Sequence, residues 1–136
     1  MFEKSDKVGG NWAYSPDPGH SSVYENTYLI SSKHWSEFED FPMPEDYPDY
    51  PSHRQMQAYF ENYAAHFSVT PRIRFGHCVT AAVREADGRW RIDSCDAAGA
   101  RQVERFDVLM VANGHHWNPR YPEYPGAFAG NDPSFA

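Results

Sequence analysis

The chain has 136 residues, enough for one domain with a modest core, and 12 basic against 19 acidic residues give a net charge of −7. That balance argues against a nucleic-acid or anionic-membrane partner, either of which wants a basic face. No apolar run approaches the roughly 20 residues that span a bilayer, and no secretory signal precedes Phe2, so the expected setting is cytoplasmic with no membrane span.

Residues 1–4 read as the end of a strand, and 5–11 as a turn around Gly9 and Gly10. From Trp12 onward, prolines at 16, 18, 42, 44, 48 and 51 exclude long helices and central strands. The aromatic content of 16% speaks against disorder in this half, which is expected to be irregular chain pinned by aromatic packing. A structureless excursion of about forty residues is unusual unless it serves a function. Within it, SSVYENTYLISSK has a short apolar centre and FPMPEDYPDYP reads as an extended arm.

A helix follows. Ser52 can cap it, Gln55 completes a capping box, and Pro51 stands just outside. Met56, Tyr59, Phe60, Tyr63, Ala64 and Phe67 recur at helical spacing, which predicts one buried face, and Thr70-Pro71 ends it. The rest reads as strands. RIRF at 72–75 is short and alternating, and Val79, Ala81 and Val83 alternate through the next run. Asp87-Gly88 is a hairpin turn into residues 89–92, and a second turn at 97–100 returns the chain through QVER. The unbroken apolar run 108–112 in FDVLMVANG predicts a parallel strand covered on both faces. The fold class expected is therefore α/β, with one long helix, a three-stranded β-meander and a buried parallel strand.

Three stretches carry candidate chemistry. Glu3 stands at a strand end, where a carboxylate can accept the hydroxyls of a ribose diol; a single Glu near a terminus also serves as ordinary surface charge. Gly9 and Gly10 permit close approach of backbone to a ligand, with Trp12 as a wall, or simply make a tight turn. ANGHHW at 112–117 puts small residues at the end of the apolar run, where open α/β sheets bind ligands. Its adjacent histidines, His115 and His116, point opposite ways on extended chain and lack further ligands at recognised spacing, so no metal is read there. SSKHWSEFEDFPMP could line a pocket, or be a solvated arm anchored by Phe38, Phe41 and Met43. No GxSxG elbow or Ser, His and acid order implies a hydrolase. Cys78 and Cys95 match neither a CxxC redox motif nor a zinc pattern; a disulfide is open to them, and buried free thiols are the expectation in a reducing cytosol.

Taken together, FEKSDKVGGNW, the run VYENTYLISSKHWSEFEDFPMPEDYPDYPSHRQMQAYFENYAAHF, and VLMVANGHHWNPRYPEYPG closely resemble the flavin-containing monooxygenase family. The resemblance implies a partial Rossmann-like FAD-binding domain, with 1–130 as its incomplete body and 131–136 as a divergent tail. It implies FAD and NADPH as cofactors, with a small-molecule substrate and dioxygen as partners. The chemistry implied is oxygenation of a nucleophilic nitrogen or sulfur, or of a ketone, through a flavin hydroperoxide. Carried over by position, it makes Glu3 the ribose acid with Lys4 contributing backbone, and Asn11 and Trp12 contacts to FAD. Ser31 would pass the flavin, the Val79 backbone would meet the adenine, and Ala112 would be a strand-end contact; no catalytic side chain is assigned. Leu29 and Ile30 stand where many members carry a Thr-Asn pair. The family's GxGxxG loop is expected before Met1 and its NADPH motif beyond Ala136, so the isolated chain is expected to be inactive, truncated at both ends, and prone to self-association through an exposed sheet edge. The alternative is a non-catalytic relative, an interaction module pairing with another chain.

Overall fold

The computed structural model describes residues 1–16, 23–114 and 120. The chain divides into two compact units, Met1–Val8 with Phe60–Asn113, and Gly9–Tyr59 with Gly114–Ala136.

The second unit takes its shape from the two ends of its irregular chain. A short helix α1, Lys33–Ser36, gives the proline-rich excursion a helical turn of four residues. The long helix α2, His53–His66, begins where the sequence places it. The Ser52 N–H donates to Gln55 Oε1 at 2.9 Å, and the Gln55 N–H to Ser52 Oγ at 3.4 Å, so the capping box is formed. Just upstream, Leu29 N–H donates to the Pro51 carbonyl at 2.8 Å and His53 N–H to the Thr27 carbonyl at 2.9 Å, tying 27–29 alongside 51–53. Met56 and Tyr59 from α2 are buried with Ala13, Leu29, Met43 and Pro51. Phe38 and Phe41 pack on Tyr59, at ring-centroid distances of 5.9 and 5.6 Å. The arm at 38–43 is thus anchored by aromatic stacking, as its composition implies.

The first unit contains the end of α2 and a meander. The helix stops at His66, four residues before Thr70. Val69 N–H reaches the Ala64 carbonyl at 2.8 Å and Ser68 N–H the Ala65 carbonyl at 3.0 Å, with Ser68 at φ 53°. This is a Schellman ending built on a serine. Phe67, just past the helix end, is 40% exposed, though its ring still lies 4.7 Å from that of Tyr63. Residues 72–75 also depart from expectation: Thr70–Arg72 is a 3-10 turn, and only Arg74 pairs, in a parallel bridge to Phe2. Pro71 at the head of that turn explains why no longer strand forms.

Strands β1 (Cys78–Arg84), β2 (Trp90–Cys95) and β3 (Arg101–Phe106) form an antiparallel sheet in the order β1-β2-β3. Both connections use the same device. Gly88 N–H bonds back to Glu85 and Gly99 N–H to Asp96, with the glycines at φ 88° and 82°; each closes a type I turn followed by a left-handed residue. Thr80 is an extra residue in β1, because Val79 pairs with Ser94 and Ala81 with Asp93. Ile92 and Ser94 are the buried side chains of β2, and Phe106 on the same face meets Phe2 edge-on at 6.0 Å.

The mixed helix-and-strand class stands, but residues 108–112 are not a buried strand. Val108, Met110 and Val111 are 80%, 86% and 72% exposed, and the run carries no strand pairing. A parallel strand needs a neighbour at its edge and layers on its faces. Among the described residues nothing fills those places.

Candidate functional site

Glu3 follows the Phe2–Arg74 bridge and is fixed against 74–77 by its own backbone. Its N–H donates to the Arg74 carbonyl at 3.0 Å and its carbonyl accepts from His77 N–H at 2.9 Å. The side chain is half-buried and Oε1 accepts the Ser5 N–H at 2.7 Å, while Oε2 has no partner among the described residues. A carboxylate fixed by its own turn, with one oxygen open, is what a diol would require. Lys4 beside it is exposed. Val79 lies two residues beyond the His77 that bonds Glu3, and is 44% exposed; Ala112 is exposed on unpaired chain. An open groove lined by Asp6, Lys7, Glu61, Asn62 and Phe75 adjoins the turn after Glu3 without including it.

The second unit holds the other three candidates. Gly10–Trp12 is a 3-10 turn entered through Gly9 at φ 134° and Gly10 at φ 52°. A Cβ on Gly9 would lie 3.1 Å from Gln57 Cγ and 3.3 Å from Ala13 Cβ, so a larger residue would crowd these side chains as well as strain the backbone. A Cβ on Gly10 would meet nothing within 4 Å, which leaves the outer side of the turn open. Asn11 and Trp12 are half-buried within it. Ser31 is exposed and its Oγ shares a hydrogen bond of 2.7 Å with Ser36 Oγ across α1. The preceding pair divides, with Leu29 buried and Ile30 96% exposed. His115 and His116 lie outside the described residues. Among the described residues no group of three His, Cys, Asp or Glu could hold a metal ion.

Two residues that the motifs did not single out prove central to this unit. Lys33 is 7% exposed, and its Nζ donates to the carbonyls of Pro44, Glu45 and Tyr47 at 3.4, 2.9 and 2.7 Å. His53 is 2% exposed; its Nε2–H donates to the Glu25 carbonyl at 3.0 Å, its ring lies 5.4 Å from that of Tyr14, and Nδ1 has no partner among the described residues. Residue type and spacing do not mark either one, because their partners lie 11 to 28 residues away in the chain.

Comparison with known proteins gives the class and family of this domain. The model of the flavin-binding monooxygenase-like family matches residues 1–132, and the chain belongs to that family, whose members are oxidoreductases. The chain is 34% identical over 133 residues to flavin-containing monooxygenase 5 of Rattus norvegicus, covering 92% of itself and 25% of that protein. It is 35% identical over 147 residues to flavin-containing monooxygenase FMO GS-OX5 of Arabidopsis thaliana, covering 93% of itself and 32% of the relative. The structure of S-allyl-L-cysteine S-oxygenase from Allium sativum superposes with a TM-score of 0.84 at 27% identity, over 91% of this chain and 32% of that one. The chain thus spans a quarter to a third of the length of the relatives it matches. No helix among the described residues is long and apolar enough to cross a membrane.

Proposed function

We propose that this chain contributes part of the FAD-binding surface of a monooxygenase that uses NADPH and dioxygen to oxygenate a nucleophilic nitrogen or sulfur, or a ketone. The observation that carries the reading is the match to the family model over 1–132, with Glu3 held beside the Phe2–Arg74 bridge inside it. FAD supplies the redox chemistry when bound, and the protein binds, orients and excludes water. In the first unit we assign Glu3 to the ribose hydroxyls, Lys4 and Val79 to backbone contacts, and Ala112, on its unpaired chain, to a contact with FAD. In the second we assign Asn11 and Trp12, on the open glycine turn, and Ser31 at the start of α1.

The 136 residues contain no Gly-x-Gly-x-x-Gly run, the loop from which such folds derive most of their pyrophosphate binding. The isolated chain should therefore give no saturable quenching of FAD fluorescence and no NADPH oxidation. Purification with stoichiometric yellow flavin, or NADPH turnover, would overturn this. In a flavin-loaded protein that contains this chain, Glu3→Gln should weaken FAD binding about tenfold, the loss of a charged hydrogen-bond acceptor. Unchanged affinity would remove Glu3 from the site.

Self-association is a second reading, favoured by the exposure of Val108, Met110 and Val111. Sedimentation of the chain over a concentration series tests it; a monomer throughout would exclude it.

A further inference from the structure

Cys78 and Cys95 are direct partners in the ladder between β1 and β2, 17 residues apart in sequence. Both are free and neither is buried, so small reagents can reach them. Residues opposite one another on antiparallel strands present their side chains on the same face, and their Cα atoms lie about 4.5–5.5 Å apart. That spacing falls within the range of about 4.4–6.8 Å found in disulfides. The Cys95 Sγ already leans across the strand, lying 3.8 Å from the Cys78 carbonyl oxygen. The Thr80 bulge separates the start of β1 from the regular ladder, which gives Cys78 local freedom to close the remaining distance. A metal is not the natural occupant, because no third His, Cys, Asp or Glu among the described residues completes a set.

We propose that Cys78 and Cys95 are a redox modification site that closes to a cross-strand disulfide in the presence of a low-molecular-weight disulfide such as oxidised glutathione. One cysteine thiolate attacks a sulfur of the reagent, forming a mixed disulfide and releasing one thiolate. The second cysteine thiolate then attacks the protein sulfur of that bond and expels the other. The two protein thiols lose two protons and two electrons, and the reagent disulfide is reduced to two thiols. The product ties the entry of β1 to the exit of β2.

The test is to incubate the purified chain with excess oxidised glutathione, alkylate remaining thiols, and measure the intact mass before and after trypsin without reductant. Cleavage at the arginines isolates one cysteine in 75–84 and the other in 92–101. The expected result is a monomeric chain lighter by two hydrogens, with those two peptides joined, and both thiols recovered together on adding dithiothreitol. Cys78→Ser and Cys95→Ser should each retain one glutathione, because the resolving thiol is gone. Glutathione persisting on the unsubstituted chain, a disulfide between two chains, or two unreacted thiols would each overturn the proposal, and all three are read on the unsubstituted protein.

Discussion

Lys33 donates to the Tyr47 carbonyl at 2.7 Å from a position that solvent barely reaches, so a charged side chain fastens the proline-rich arm from within. The same ammonium serves the carbonyls of Pro44 and Glu45, and the Lys33 N–H donates to the Asp49 carbonyl at 2.8 Å. All three ammonium protons thus have acceptors, which is the condition under which burial of a lysine is tolerated.

Lys33→Met keeps the aliphatic stem and deletes the donors. The expected loss is about 1–3 kcal/mol, because hydrogen bonds to a charged group disappear while their carbonyls stay in place. Denaturant titration measures it, with the exposed Lys7→Met as a control that should change little.

Tyr59→Phe tests the aromatic anchor. The Tyr59 hydroxyl accepts from Phe38 N–H at 2.7 Å and donates to the Phe41 carbonyl. Removing it should cost about 1–2 kcal/mol while the rings go on stacking. Faster amide exchange at Phe38 in the variant would localise the loss.

Ser68→Gly should raise stability. Ser68 holds a left-handed φ of 53° at the Schellman position, where a side chain is unfavourable and glycine is not. A gain of about 0.5–1 kcal/mol is expected after allowing for the greater backbone freedom of glycine. Ser68→Val should move the midpoint the other way.

Acid should weaken the sheet through two carboxylates. The Arg74 hydrogen bonds hold Glu104 below the ordinary value of 4.5, and the Arg105 hydrogen bonds do the same for Glu85. Both guanidiniums are shifted upward by the same bonds, so the partners agree in sign. A carboxyl that is more acidic in the folded state stabilises above its unfolded value, and the contribution is lost as pH falls through the folded value. The loss therefore lies below pH 4.5. The pairs are exposed, so it is modest and shrinks with added salt. Melting curves from pH 7 to 3 should show less acid sensitivity in the Glu85→Gln, Glu104→Gln double variant.

What the sequence disclosed depended on whether the signal was local. The start of α2 was legible because Ser52 and Gln55 satisfy each other within one turn. The meander was legible because Gly88 and Gly99 supply the left-handed residue that each short connection needs. The end of α2 was hidden, since a serine can take a conformation usually left to glycine and no pattern marks which serine will. The run at 108–112 misled for a different reason: apolar character says what a segment can bury, not whether other chain is there to cover it. Lys33 and His53 were illegible because their meaning lies in carbonyls 11 to 28 residues away. For the candidate site, Glu3 and the glycine turn were visible from residue type, whereas the open oxygen of Glu3 and the contact awaiting any Cβ on Gly9 required coordinates.

The extra residue Thr80 also bears on how the length of this strand can change. Val79 and Ser94 already share a face, as do Ala81 and Asp93, so excising Thr80 would join two stretches that are in phase with β2. The bulge thus marks a place in β1 where evolution, or an engineer, can shorten the strand without rewriting which side chains face inward.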